Sequence, residues 1–172
     1  MTDYNKELIS FLDKSPTAFH AVANIKARLE AEGYTELVEP AKWELSEGGK
    51  YFVVRNDSSI IAFRVPRFNF TGFMISAAHS DSPAFKVKEN PEIVENGYVK
   101  LNVEGYGGML MAPWLDRSLS VAGRVIVKSG NRYEVKIVKV DRDLLIIQNV
   151  AIQMKHNAKK NQSWNAQVEM LP

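Results

Sequence analysis

The sequence predicts an α/β fold, with two helices and the beginning of a layered sheet followed by a mostly β second domain. Three observations predict it: apolar residues at helical spacing near the N-terminus, strand-like segments after Gly33, and an almost continuous apolar run at residues 73–78. Such a run is typical of a strand buried on both faces. The predicted boundary gives an incomplete α/β domain at residues 1–88 and a β-rich domain at residues 89–172.

Two helices are predicted at the start of the chain. In the second helix, apolar residues recur at helical spacing from Phe19 to Leu29. Ser15 is predicted to cap this helix, Pro16 suits its first turn, and Gly33 ends it. The apolar stripe of the first helix consists of Leu8, Ile9, Phe11 and Leu12.

Strand patterns dominate the rest of the chain. Residues 51–54 and 59–63 are predicted to pair across a turn at residues 55–58, and residues 73–78 form the buried strand. Asn-Gly, Gly-Gly and Ser-Gly-Asn turns separate the later strands, including a hairpin around residues 129–131. The predicted strands of this second half are residues 85–88, 98–101, 122–128 and 133–140.

Composition limits the class of protein. The 172 residues are 45% hydrophobic and 24% charged, with a net charge of +2, which is ordinary for a globular protein. Lysine and arginine are scattered rather than clustered, so nucleic acid is not an expected partner. The absence of cysteine excludes disulfides and favours the cytoplasm. No signal-peptide pattern or membrane-length apolar run occurs, so no membrane association is expected.

The segment His-Ser-Asp-Ser-Pro at residues 79–83 directly follows the predicted buried strand. A histidine at the end of such a strand points into the crevice where α/β proteins place their sites, and a neutral imidazole suits zinc. Asp81 can accept the other ring N–H and fix the tautomer of His79. The alternative interpretation is a plain turn, in which Asp81 and Ser82 bond to the local backbone.

The other two histidines are weaker candidates. His20 lies within the second predicted helix, where a structural role fits best. His156 lies in a polar run that is typical of a solvated face.

The histidine segment resembles the HTDSP motif of the aspartyl aminopeptidases, a family of dinuclear zinc metallopeptidases. Residues 15–22 are similar to the family's SPTPFHAV, and residues 106–108 match its YGG. Residues 114–125 resemble W-x-DRDL-x-x-AGRV. Further similarity lies at residues 85–88, 150–152 and 167–172, so the ordered matches cover nearly the whole chain.

The resemblance implies a hydrolase that removes acidic N-terminal residues from peptide substrates with two zinc ions. His79 matches the first zinc ligand, and Asp81 matches the acidic residue that orients it. Residues 1–88 would be the N-terminal part of the peptidase domain, and residues 89–172 an incomplete dimerisation-type domain that forms a homo-oligomer. The other ligands are expected beyond Pro172, so the chain alone is expected to be inactive and to bind zinc weakly.

Two positions depart from the family pattern. Gln153 stands where the family has a histidine, and Ser118 stands where it often has an acid. Asp116 and Arg117 are interpreted as a buried structural salt bridge. The alternative function is a non-catalytic oligomerisation or interaction protein derived from the same family. A non-enzymatic small-molecule binder is a third hypothesis, although no residue specifically supports it.

Overall fold

A computed structural model describes residues 3–151, 154 and 164–172. These residues form two compact units. The first contains the chain up to Ser82 together with Ala122–Lys139, and the second contains Pro83–Val121 and Val140–Pro172. The boundary after residue 88 stays a prediction. The two units differ from it mainly at residues 122–139, which pack with the N-terminal helices.

The described elements are two helices followed by a series of strands, with a short helical turn between β5 and β6 and a short helix near the C-terminus. The helices are α1 at Tyr4–Asp13, α2 at Ala18–Ala31, a 3-10 turn at Ala112–Trp114 and the short α3 at Ala166–Glu169. The strands are β1 at Thr35–Glu36, β2 at Lys50–Arg55, β3 at Ser59–Arg64, β4 at Ala84–Glu95, β5 at Tyr98–Tyr106, β6 at Ala122–Ser129 and β7 at Arg132–Lys139. The mixed helix and sheet content agrees with the predicted α/β class. Within the described residues, no helix combines the length and the apolar character needed to span a bilayer.

Both predicted N-terminal helices are confirmed, but the predicted cap of α2 is wrong. Thr17, not Ser15, is the N-cap, and its hydroxyl accepts a hydrogen bond from the backbone N–H of His20. The Ser15 hydroxyl instead accepts from the Asn24 side chain at 3.0 Å. Both residue types can cap, and only the backbone geometry decides which one does. Gly33, at a φ of +77°, ends the helix as predicted.

The core of the first unit lies between α2 and a three-stranded sheet. β1 pairs in parallel with β2, and β2 pairs antiparallel with β3. Phe52, in the middle strand, is 0% exposed. The buried apolar side chains of this unit are Ala21, Val22, Tyr51, Phe52 and Val65.

A tight turn joins β2 to β3, as predicted. Asn56 and Asp57 have positive φ angles of 54° and 57°, a conformation that Asn and Asp tolerate better than most residues. The N–H of Ser58 donates to the carbonyl of Arg55 at 3.2 Å and closes the turn.

The predicted buried strand at residues 73–78 is wrong. These residues form no strand and pair with no other described segment. Phe73 is 79% exposed and Ile75 is 84% exposed. A strand buried on both faces needs hydrogen-bonded neighbours and a covering layer on each side. The described residues supply neither for this run.

The hairpin of β6 and β7 confirms the predicted turn at residues 129–131, and it packs against the N-terminal helices. The guanidinium of Arg124 lies 4.3 Å from the centroid of the Phe19 ring in α2. The ammonium of Lys139 donates to the backbone carbonyl of Asp13 at 3.1 Å. Two cations therefore attach this hairpin to the N-terminal helices of the same unit.

The second unit is built on the long hairpin of β4 and β5. Asn96 and Gly97 turn the chain with φ angles of 51° and 80°, the left-handed pair that a two-residue hairpin favours. These strands extend well beyond the predicted ones and contain an irregularity between Val87 and Glu92. The buried apolar side chains of this unit are Val103, Ile147 and Met170.

Replacing Phe52 by alanine is expected to destabilise the chain by about 3–5 kcal/mol, because a fully buried ring is lost and a cavity remains. The matched control is Phe68→Ala, since the Phe68 side chain is 62% exposed. That substitution is expected to change the free energy of unfolding by no more than about 0.5 kcal/mol. Urea titration followed by circular dichroism measures both values. Equal losses would contradict the assignment of Phe52 to the core.

Candidate metal centre

The histidine motif lies in an irregular segment of the first unit. Residues 79–82 follow the exposed apolar run and precede β4. The His79 side chain is 79% exposed and that of Asp81 is 42% exposed. The ring is therefore accessible to solutes, as a metal ligand must be before the ion binds.

Two oxygen atoms of Asp81 face the same nitrogen of His79. The Nδ1 atom lies 2.8 Å from the backbone carbonyl oxygen of Asp81 and 3.1 Å from its carboxylate Oδ1. Both oxygens accept hydrogen bonds, so this geometry requires a proton on Nδ1. In the neutral ring, Nε2 then carries the lone pair that a metal ion needs.

The described residues fit zinc at one coordination position, which is that of His79. A zinc-binding imidazole needs a free ring nitrogen and a partner that fixes its tautomer, and His79 has both. A catalytic zinc ion normally takes three protein ligands. Within the described ranges, no three His, Cys, Asp or Glu side chains gather in a way that could hold a metal ion.

Ser80 was not singled out from the sequence. Its hydroxyl donates to the backbone carbonyl of Ser58 in the β2–β3 turn at 2.8 Å. The side chain between the two motif residues therefore attaches the motif to the sheet. The position of Ser80 between a histidine and an aspartate was the only sequence signal for a role in the site. Its hydrogen-bond partner Ser58 is 22 residues away, and no local pattern indicates that contact.

His20 has a structural role at the beginning of α2, as expected. Its Nδ1 atom lies 2.8 Å from the hydroxyl of Thr17, at the beginning of α2. Burial of the ring lowers the pKa of His20, and the nearby positive charge of Lys139 lowers it further. His156 and Gln153 lie outside the described residues.

The expected salt bridge between Asp116 and Arg117 is wrong. Both side chains are exposed. The Asp116 carboxylate accepts from the backbone N–H of Asn149 at 2.9 Å, and the Arg117 guanidinium donates to the carbonyl of Pro113 at 3.3 Å. Asp116 has a positive φ of 55°. The two side chains therefore stabilise separate stretches of backbone.

The second unit contains a cleft of about 580 Å³ beside the β4–β5 turn. It is lined by Tyr98, Val99, Trp164 and Leu171, among others. The indole N–H of Trp164 is buried without a hydrogen-bond partner among the described residues. Small-molecule binding in this cleft stays a hypothesis.

Comparison with known proteins gives a consistent result. The family model described as aminopeptidase I zinc metalloprotease (M18) matches residues 11–172. A probable M18 family aminopeptidase 2 from Pseudomonas paraeruginosa is 46% identical over 172 residues, which is 99% of this chain and 40% of the relative. The chain thus spans about 40% of the length of the curated relatives that it matches.

Solved structures agree with the sequence matches. The mApe1 structure from Chaetomium thermophilum has a TM-score of 0.83 and 35% identity, covering 98% of this chain and 39% of that chain. The mApe1 dodecamer from S. cerevisiae has a TM-score of 0.73 and 26% identity, covering 88% and 36%. The family model and the solved structures therefore lead to the same family. The chain belongs to the M18 family of zinc aminopeptidases, which confirms the resemblance noted from its motifs.

The lowered pKa of His20 predicts a pH dependence of stability. The unfolded chain protonates this histidine near its ordinary pKa of about 6.5, whereas the folded chain does so only at lower pH. The unfolded state therefore binds more protons in that window, and acid favours unfolding. The contribution of His20 should be complete above about pH 6.5 and should be lost as the pH falls to the folded-state pKa.

Urea unfolding at several pH values measures this effect. His20→Gln should reduce the rise in stability between the folded-state pKa and about pH 6.5. His79→Gln is the control, because it leaves the environment of His20 intact. An unchanged pH slope in His20→Gln would show that other groups cause the dependence.

Proposed function

We propose that this chain carries part of the metal site of a zinc aminopeptidase that releases acidic N-terminal residues from peptides. The observation that supports the proposal is the contact of His79 Nδ1 with Asp81, which leaves Nε2 available for a metal ion. Membership of the M18 family supports the reaction class. The acidic specificity rests on the motif resemblance.

The residues of this chain would perform a limited part of the chemistry. His79 would hold one zinc ion through Nε2, and Asp81 would keep the ring in the correct tautomer and orientation. Bound zinc supplies polarisation of the scissile carbonyl and a lower pKa of the attacking water. The resemblance implies two such ions. Since the described residues offer His79 without a cluster of further ligands, we expect the 172-residue chain alone not to turn over substrate.

The second candidate is a non-catalytic oligomerisation protein of the same family. It is favoured by the exposed apolar residues at 73–78 and by the lack of a metal-binding cluster within the part of the chain that is described. The two candidates differ in one measurable property. The first requires that this chain's His79 sustain catalysis when the rest of an M18 enzyme is present.

A chimera tests this requirement. Residues 1–172 would replace the matching 40% of the Pseudomonas paraeruginosa relative, and zinc content would be measured together with hydrolysis of aspartyl, glutamyl, leucyl and lysyl anilides. We expect bound zinc and preferential cleavage of the acidic substrates. Asp81→Ala should reduce activity roughly 10–100-fold, and His79→Gln should reduce it further. The 172-residue chain alone should bind no stoichiometric zinc and show no turnover.

The chimera experiment has a control variant and three results that would contradict parts of the proposal. Ser82→Ala alters a neighbouring exposed residue and should leave the chimera active. A folded chimera without zinc or turnover would favour the non-catalytic candidate. Turnover by the chain alone would contradict the expected inactivity. Equal cleavage of all four substrates would contradict only the acidic specificity.

A homo-oligomer is the second part of the proposal, with a cytoplasmic location as expected from the absence of cysteine. The S. cerevisiae relative is a dodecamer, which supports association. In the second unit, Val94 and Val99 are direct cross-strand partners on β4 and β5. They are 75% and 65% exposed, so the pair forms an apolar surface suited to burial against another subunit.

Replacing this pair by Val94→Glu and Val99→Lys is expected to shift the protein to smaller assemblies. The opposite charges can pair across the hairpin and keep it intact, while the apolar contact is lost. Light scattering after size-exclusion chromatography measures the mass. The control is Lys86→Glu with Glu104→Lys, a charge exchange between cross-strand partners of the same hairpin. An unchanged mass in the valine variant would exclude this surface from the interface.

A further inference from the structure

The contact between His79 and Asp81 leaves one question of geometry open. Both residues belong to the same irregular segment, so their hydrogen bond orients the ring only relative to that segment. A metal ligand must also be fixed relative to the rest of the site, to within about 0.5 Å. The segment therefore needs an attachment to a regular element.

Ser80 provides an attachment. Ser80 is half-buried, whereas His79 is exposed, and the Ser80 hydroxyl donates to the carbonyl of Ser58 at 2.8 Å. Ser58 belongs to the turn that joins β2 to β3, whose pairing includes the fully buried Phe52. The exposed His79 is thus adjacent in sequence to a hydrogen bond that ends on the turn of the core sheet.

Arg124 holds the same turn from another direction. Its guanidinium donates to the carbonyl of Asn56 at 2.8 Å and lies 3.8 Å from the Asp57 carboxylate. The side chain also lies over the ring of Phe19. Two carbonyls of one turn, at Asn56 and Ser58, therefore accept hydrogen bonds from the β6–β7 hairpin and from the motif segment.

We propose that Ser80 is a positioning residue for His79, and that Arg124 secures the turn on which Ser80 depends. The inference rests on the proposed function, since it concerns the orientation in which His79 presents Nε2 to a zinc ion. Loss of the Ser80 hydroxyl would free residues 79–82 from the turn and weaken the fixed contact of the ring with Asp81. Loss of the Arg124 guanidinium would remove its contacts with Asn56 and Asp57 and would loosen the turn itself.

The tautomer of His79 reports this positioning without any metal ion. Long-range ¹H–¹⁵N NMR distinguishes a proton on Nδ1 from one on Nε2, and the chain has three histidines, assignable with His→Gln variants. Spectra would be recorded at about pH 8, where an ordinary histidine is neutral. We expect wild-type His79 to carry its proton on Nδ1.

Four variants test the proposal. Ser80→Ala should lower the ratio of the Nδ1–H to the Nε2–H tautomer roughly two- to tenfold, the factor set by one net hydrogen bond. Ser80→Thr should retain the wild-type ratio, because it keeps the hydroxyl. Arg124→Met, which keeps the apolar stem, should shift the ratio in the same direction as Ser80→Ala. Ser82→Ala is the matched control, since Ser82 is exposed and forms no side-chain hydrogen bond with the described residues.

The outcomes separate this inference from the proposed function. A wild-type ratio in folded Ser80→Ala, or a loss in Ser80→Thr equal to that in Ser80→Ala, would overturn the role of Ser80. A wild-type ratio in Arg124→Met would overturn the role of Arg124. Circular dichroism establishes that each variant is folded, and if Ser80→Ala is not, Ser80→Thr and Arg124→Met decide. Absence of zinc from the chimera would instead count against the proposed function, because the tautomer is read without metal.

Discussion

The antiparallel pairing of β2 with β3 is the interaction on which the first unit depends. It places Phe52 in the core, where α2 covers the sheet. Its turn accepts hydrogen bonds from Ser80 and Arg124. A hairpin of two six-residue strands is only marginally stable in isolation, so the apolar contacts of α2 and the polar contacts of the turn support one another. The histidine motif takes its position from this hairpin, although it lies outside every strand.

Features determined by local sequence were predictable. The helices follow from apolar spacing, and the hairpins follow from turn residues such as Asn-Gly at Asn96 and Gly97. The His79–Asp81 contact is also local, because the two residues are two positions apart. The cap of α2 shows the limit of such reasoning. Ser15 and Thr17 have equivalent chemistry, and the choice between them depends on backbone angles that the sequence does not encode separately.

Features determined by distant contacts could not be predicted. The run at residues 73–78 has the pattern of a buried strand, but a pattern cannot supply the neighbours that make a strand. The contact of β6 with α2 depends on Arg124 and Phe19, which are far apart in sequence. The same holds for Ser80, whose partner lies in the turn between β2 and β3. A metal site has this non-local character too, which is why a single motif predicts one ligand and not the full set.

We expect the exposed run at residues 73–78 to influence how the chain behaves on heating. Phe-Met-Ile-Ser-Ala-Ala has no charge, proline or glycine, and such six-residue segments can stack between molecules into dry cross-β interfaces. Arg67 and Asp81 are the nearest charged residues on either side, so no charge within the run opposes this stacking. We therefore expect thermal unfolding of the isolated chain to be irreversible, with an apparent melting temperature that depends on scan rate and protein concentration.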